Sequence, residues 1–538
     1  MVAEANVPVL IVGAGPVGLC MAIELGWRGI PCLLVDQGNG MVEHPRTGLI
    51  AVRTMEAFRR WGFAEDVRHC GFPEDYKLSM VFCTSLNGWL LDREEYPSMA
   101  ETPTPGATPE KKQRCPQLWL HPILVAQASR WPTVSMRYGH RLESFSHTES
   151  GVIAEVRNLA TNNVHSVRSR YLVACDGGTS TVRKGLDIPT EERLLSYSIN
   201  ILLRIPGLTQ HHPLGEAERY LFVGPQGTWG NLTVVDGRDI WRLTVLGSTE
   251  RFDMDRFDAA SYVRLALGKD SIEFEILSVQ TWRRSEMLAG SFREGNVLLA
   301  GDAAHTMSPT GGMGMNTGVQ EAFDLGWKLE AVLKGWGGPA LLDSYDIERR
   351  PVAARNINFS SANFKAWLNA PDATAVCDDT LEGAAIRAEL GRRLRESTRV
   401  EWESLGLQIG YRYDHSPICV EDGSQAVPDD YSQYIPNARP GARAPHAWLA
   451  TGESTLDLFG RGFTLLDFSG AAKNKEFSWN DTFRDSGVPL KIVPVKETEI
   501  GRLYEAPQVL VRPDGHVAWR GEMVKPDKEI LSTVTGRQ

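Results

Sequence analysis

The chain has 538 residues, of which 42% are hydrophobic and 23% charged, with a formal net charge of −10. That length calls for two or three domains, and the negative balance argues against nucleic acid or an anionic membrane as a partner. No stretch has the uninterrupted apolar length of a membrane span and no basic segment precedes the first apolar run, so neither an anchor nor a signal peptide is expected and the location is read as cytoplasmic.

The first element is Val9-Leu-Ile-Val-Gly-Ala-Gly-Pro-Val-Gly18, a buried-strand pattern that breaks into glycines around Pro16 and resumes at helical spacing through Arg28. Gly13 suits a tight turn, Gly15 lets a pyrophosphate approach the backbone, and Gly18 lets helix and strand pack closely. A second apolar run, Cys32-Leu-Leu-Val-Asp36, ends in an acid eighteen positions past Gly18, where a ribose hydroxyl would be held.

A polar loop with His44-Pro-Arg46 follows, then a helix over 52–61 stopped by Gly62, a pair of strands within 78–91 and a surface loop over 101–112. A helix over 118–128 comes after Gln117, with Pro122 tolerable only in its first turn. Segments 134–141, 152–156 and 164–168 are expected as a small antiparallel excursion before a strand at 171–175, whose end, Asp176-Gly-Gly178, offers a ligand-facing carboxylate on pliable backbone.

From 199 to 279 the pattern changes to short alternating runs separated by Pro-Gly, Gly-Pro, Asp-Gly and Gly-Ser, an antiparallel sheet in which His211-His212 reads as a solvent-facing pair. Residues 296–300 then return to a buried strand, followed by Gly301-Asp302-Ala-Ala-His305, a loop, and an apolar helix from about Asn316 to Leu333. Asp302 is thereby returned to the first site, and His305 is read as a packed histidine rather than a base. Helices run on to about residue 405, and turns and strands fill 443 to the end. The eight cysteines form no CxxC pair or zinc-spaced cluster, so they are read as reduced thiols and no metal site is expected.

Taken together, Gly13-Ala-Gly-Pro-Val-Gly18, Arg114-Cys-Pro-Gln117, Cys175-Asp-Gly-Gly178 and Gly301-Asp-Ala-Ala-His-Thr-Met-Ser-Pro309 with Gly311-Gly-Met-Gly-Met-Asn316 resemble the class A flavoprotein aromatic hydroxylases, the family of para-hydroxybenzoate hydroxylase and phenol hydroxylase. The resemblance covers the whole chain. It implies an α/β fold: a Rossmann-like FAD-binding domain (1–185 and, after an insertion, 284–400 with its helices), an inserted antiparallel-sheet substrate domain (186–283), and a thioredoxin-like C-terminal domain with its linker (401–538). The C-terminal match lies in Pro440-Gly-Ala-Arg443, residues 455–466 and the hairpin signal around Pro513-Asp-Gly515. No cysteine follows Cys419, so disulfide exchange is excluded there and a structural or self-associating role, as in a homodimer, remains.

By position, the resemblance puts Gly13, Gly15, Pro16 and Gly18 at the FAD pyrophosphate, Asp36 at the adenosine ribose, and Arg46 and Gln117 on the flavin chain. Asp302 falls at the ribityl or pyrophosphate region, Gly314, Met315 and Asn316 near the flavin pyrimidine edge, and Asp176 in a motif shared by FAD and the nicotinamide donor. The implied reaction is NAD(P)H- and O2-dependent hydroxylation of a phenol or hydroxyaryl acid through a flavin C4a-hydroperoxide. Tyr220, Phe222, Trp229, Asn231, Trp241, Arg242 and Pro309 are candidate substrate walls, and no catalytic base is assigned. Baeyer–Villiger or epoxidation chemistry on the same fold is the alternative, with an inactive flavin-binding assembly protein a further one.

Overall fold

The computed structural model describes residues 5–42, 44–45, 48–368, 373–469, 479–522 and 528–538; Arg46 lies outside them. At the centre of the first sheet, the parallel strand Ala5–Val12 lies between Cys32–Asp36 and Val164–Ala174, with Val297–Leu299 next to the latter. Val9, Leu10 and Ile11 are fully buried, with helix Pro16–Trp27 packed on the sheet and strand His140–Thr148 packed against Cys32–Asp36. Helix Pro16–Trp27 starts on Gly15 with proline in its first turn and lies against helix Met313–Leu333, which begins three residues earlier than expected.

Strand Val134–Tyr138 differs from the expected excursion. It pairs parallel with Cys32–Asp36 as an edge of the central sheet, because helix Gln117–Ser129 acts as the crossover that carries the chain back. Residues 164–174 form one strand rather than two, since the in-out alternation of Val167, Arg168, Ser169 and Arg170 continues unbroken into the buried run. Pro122 sits inside its helix beyond the first turn; the burial of Leu120 and Leu124 holds that helix despite the lost donor.

The second sheet has eight strands. Its long pair Thr190–Arg204 and Glu275–Ala289 continues through Ile240–Leu246, Gly227–Val234 and Arg219–Gly224, and then takes in Met80–Cys83 and Leu90–Glu94 from much earlier in the chain. One face carries Ile199, Ile201, Tyr220, Phe222, Leu232, Trp241 and Leu243 into the main core. The other lies under helices Ala340–Leu368 and Leu381–Trp402, where Leu221 and Val223 meet Trp367 and Leu390. His212 is buried rather than solvent-facing, edge-on to Tyr220 with ring centroids 5.3 Å apart.

A four-stranded sheet, ordered Leu490–Pro494, Phe463–Asp467, Gln508–Val511 and Val517–Gly521, forms the C-terminal unit, and Gly515 turns its last hairpin at φ +83°. Two buried ionic clusters tie it to the rest. In the first, Glu56 takes Arg443, Arg53 at 2.8 Å and the Thr108 hydroxyl at 2.7 Å. Thr108 and Glu110 are therefore buried, not part of a surface loop. Seven of the eight cysteines are buried and Cys377 is exposed. Among the described residues no helix is long and apolar enough to cross a membrane.

Burial would raise the Glu56 carboxyl, but Arg443 and Arg53 outweigh it and hold its pKa down at about 2, against an ordinary 4.5. A lowered folded-state pKa stabilises fully above pH 4.5 and loses that contribution as pH falls towards 2. Glu56→Gln is therefore expected to cost about 3 kcal/mol at neutral pH and to flatten the acid limb of stability, as read by urea unfolding at pH about 7 and about 3. An unchanged acid limb would show that the cluster contributes nothing through charge.

Candidate active site

A cleft of about 700 Å³ runs along the carboxyl ends of the central strands, past Gly13, Gly15, Asp36, Asp176, Asp302 and Gly314. Its floor is the turn after the first strand. The Gly13 amide donates to the Val35 carbonyl at 2.8 Å with φ at +104°, and a Cβ there would lie 2.3 Å from the Cys175 carbonyl oxygen. A Cβ on Gly18 would lie 1.9 Å from the Gly13 oxygen. At Gly15, by contrast, an added Cβ meets nothing within 4 Å. Two glycines are thus required by packing and one faces open space at a helix start, the arrangement that admits a diphosphate.

Asp36 accepts the Ala14 amide at 2.7 Å and the Gly38 amide at 2.6 Å, so it closes the glycine turn while standing in the cleft wall. Asp176 accepts the Ser180 hydroxyl at 2.6 Å and the Thr181 amide at 2.8 Å, capping the short helix Thr181–Gly185; burial still pushes its carboxyl above the usual range. Asp302, in the turn Gly301–Ala303, also lines the cleft. That turn is braced by Glu321, which accepts the Gly301 amide and faces the His305 Nε2, each at 2.7 Å, all fully buried. Sequence reasoning missed Glu321, one of three acids, with Asp324 and Glu330, in the run 316–333.

The helix starting at Met313 leaves Gly314 and Met315 in its first turn, with Gly314 lining the cleft. Asn316 stands deeper: its Oδ1 accepts the Ala51 amide at 2.9 Å and its Nδ2 donates to the Leu49 and Gly312 carbonyls. Its side chain therefore clamps the chain at 49–51 to the helix start. Gln117 opens its own helix and is outside the cleft lining.

Beyond the loop at 307–312 are two smaller cavities, of about 100 and 60 Å³, which share Arg242 and Pro309. The smaller one also shares Trp282 and Arg284 with the cleft, so cleft and chamber meet at these two residues. The strand register decides which side chains face them. Thr233 pairs with Arg242, Asn231 with Thr244, and Asn200 with both Thr244 and Gln280, which puts this polar set on the helix-covered face. Tyr220, Phe222 and Trp241 are correspondingly on the core face, fully buried, and Trp229 stacks on Phe222 at 5.1 Å; none of the four lines either cavity. Asn231 shares the chamber face but is buried against Thr233, while Pro309 and Arg242 do form its wall.

The chamber is strongly cationic. Arg219 pairs with Glu401 and Arg114 with Glu218, each at 3.1 Å. Arg242 donates to the Pro45 carbonyl at 2.9 Å and Arg284 to the Ser198 hydroxyl at 3.2 Å; neither has a carboxylate partner among the described residues. Burial, followed by the neighbouring guanidiniums, pulls both down to about 10, so they stay charged at neutral pH. Nε of Arg242 and Nη1 of Arg284 are buried donors with no partner among the described residues. Glu401 also accepts the Gly311 amide at 2.9 Å, tying helix Leu381–Trp402 to the loop between cleft and chamber.

A strand–glycine–helix diphosphate cradle beside an inserted antiparallel sheet defines a flavin-dinucleotide oxidoreductase, and the open space at Gly15 with the acids along the cleft fits FAD. The family described as FAD binding domain matches residues 6–360, and that described as aromatic-ring hydroxylase, C-terminal, matches residues 437–537. The chain is 32% identical to tetracenomycin B2 monooxygenase-dioxygenase of Streptomyces olivaceus over 99% of this chain and 98% of that protein. Among solved structures it is similar to chromopyrrolic acid-soaked RebC with bound 7-carboxy-K252c (39% identity, TM-score 0.90, all of both chains) and to aklavinone-11 hydroxylase with FAD and aklavinone (29%, TM-score 0.80, 99% and 100%). The chain belongs to the FAD-dependent aromatic-ring hydroxylases, and it is an NAD(P)H- and O2-dependent monooxygenase.

Proposed function

We propose that the enzyme hydroxylates a polycyclic hydroxyaryl acid. The observation that carries this reading is the pair of buried guanidiniums in the chamber wall, Arg242 and Arg284, each without a carboxylate partner among the described residues and each with one donor left unpaired. A buried charge without a counterion is costly, and a substrate anion would supply the counterion while the apolar ring lies against Pro309, Trp282 and Leu202. RebC soaked with chromopyrrolic acid and holding 7-carboxy-K252c, and aklavinone-11 hydroxylase holding aklavinone, support it.

In this reading Gly13, Gly15, Pro16 and the helix they start hold the FAD diphosphate, Asp36 the adenosine ribose, and Asp302, Gly314 and Met315 the flavin half. Bound FAD supplies hydride acceptance from the nicotinamide and activation of O2. The protein's own work is positional: Arg242 and Arg284 orient the acid, Glu401 and Asn316 fix the loop at 307–312, and the packed sheet face excludes water. Residues 1–185 and 284–400 serve as the FAD-binding part, 186–283 as the substrate sheet, extended by strands from 80–94, and 401–538 as a structural C-terminal part.

The test compares a hydroxynaphthoate with the matching naphthol as stimulators of NAD(P)H oxidation. The acid is expected to be preferred by about tenfold or more in kcat/KM, and Arg242→Met to lose most of that preference while retaining FAD. Equal stimulation by acid and naphthol would overturn the assignment.

A further inference from the structure

The chamber has two sides by which an aromatic anion can arrive. The inner side opens through Trp282 and Arg284 into the cleft, whose space FAD takes up in the holoenzyme. On the outer side is a surface pocket of about 380 Å³, lined by Pro103, Lys111, Ser404, Gln408 and Gln433. Pocket and chamber have just two residues in common, Lys112 and Trp402. The Lys112 ammonium lies 5.0 Å over the Trp402 ring and 3.5 Å from the Trp402 carbonyl oxygen. Trp402 in turn stacks on Tyr96 at 4.8 Å and is the last residue of helix Leu381–Trp402, where the backbone leaves helical geometry at Glu403 (φ −96°, ψ 70°).

We propose that Lys112 and Trp402 form the portal through which an aromatic anion enters the chamber of the FAD-loaded enzyme; the ligand class rests on the substrate reading above. A cation resting on an aromatic face is a weak contact that parts without unfolding either element. An arriving ring can take the ammonium's place against Trp402 while its carboxylate pairs with Lys112. Deeper in, past Arg219 and its partner Glu401, Arg242 and Arg284 offer buried positive charge with no carboxylate partner among the described residues, so the anion is drawn inward. Lys111 at the pocket rim donates to the Met99 and Thr102 carbonyls, which fixes the turn that presents Lys112.

The experiment is stopped-flow binding of a hydroxynaphthoate to the holoenzyme, followed through the flavin spectrum. Lys112→Met is expected to lower the association rate constant about tenfold and to weaken its dependence on salt, the signature of lost steering. Trp402→Ala is expected to raise association and dissociation together by about fivefold and leave affinity within about twofold, as a widened passage does and a lost binding wall does not. Trp402→Phe, which keeps the stack on Tyr96, should return both rates towards the parent values. Association rates within twofold of the parent in both variants, or changes confined to dissociation, would overturn the portal.

Should the naphthoate leave the parent flavin spectrum unchanged, the substrate class falls, and iodide quenching of bound FAD then reads the passage alone. A quenching constant at least doubled by Trp402→Ala upholds the portal, and one indifferent to it removes the portal as well.

Discussion

Gly15→Ala is expected to give a folded protein that binds FAD about a hundredfold more weakly, whereas Gly13→Ala is expected to yield little folded protein at all. The two glycines sit in one turn yet differ in what surrounds them. Gly15 has ordinary extended backbone at φ −66° and empty space where a methyl would go, so alanine costs the fold almost nothing and removes only the room a diphosphate needs. Gly13 combines φ +104° with a backbone oxygen 2.3 Å from the would-be Cβ, and the Cys175 strand cannot retreat without breaking the central sheet. Apoprotein melting temperature and FAD titration separate the two effects. A Gly15 variant that retains yellow cofactor with parental affinity would mean that the diphosphate lies elsewhere in the cleft.

Arg512→Met is expected to destabilise the protein by about 3–5 kcal/mol, the usual cost of orphaning partners in a buried ion cluster. Arg512 is wholly buried in the C-terminal hairpin and reaches Glu348 at 2.5 Å, Asp514 at 2.6 Å and Asp324 at 3.0 Å. Lys328 is the second cation, 2.8 Å from Asp324 and 2.6 Å from Glu348. Without Arg512, three carboxylates share one lysine in a dry site. Arg512→Lys keeps the charge but not the fork that spans three acids, so it should fall between the parent and Arg512→Met. Equal unfolding free energies for parent and Arg512→Met would show that the C-terminal unit docks through its apolar contacts alone.

The glycine turn was legible because its signal is local: a strand, three glycines, a helix and an acid within about thirty residues leave little choice of geometry. The chamber was not, since Arg114, Arg219, Arg242, Arg284 and Glu401 come from five separate segments, and an isolated charge in a sequence has no visible neighbour. Alternation showed that the inserted strands have two faces. It could not show which face the helices at 340–402 would cover, so the large aromatics Tyr220, Phe222 and Trp229 stood in for the polar set on the reverse side. Val134–Tyr138 was assigned to its sequence neighbours for a similar reason: a parallel partner is reached through a crossover helix, and proximity in the chain favours a hairpin on paper.

The parallel pairing of Met80–Cys83 with Arg219–Gly224 makes the second sheet a two-piece object in the gene. Exchange of the inserted segment alone between relatives would pair a foreign strand with a native one at that seam, and a fragment beginning at 186 would expose Arg219–Gly224 as an unpaired edge open to self-association. The second sheet is therefore continuous in space but drawn from two distant stretches of the chain.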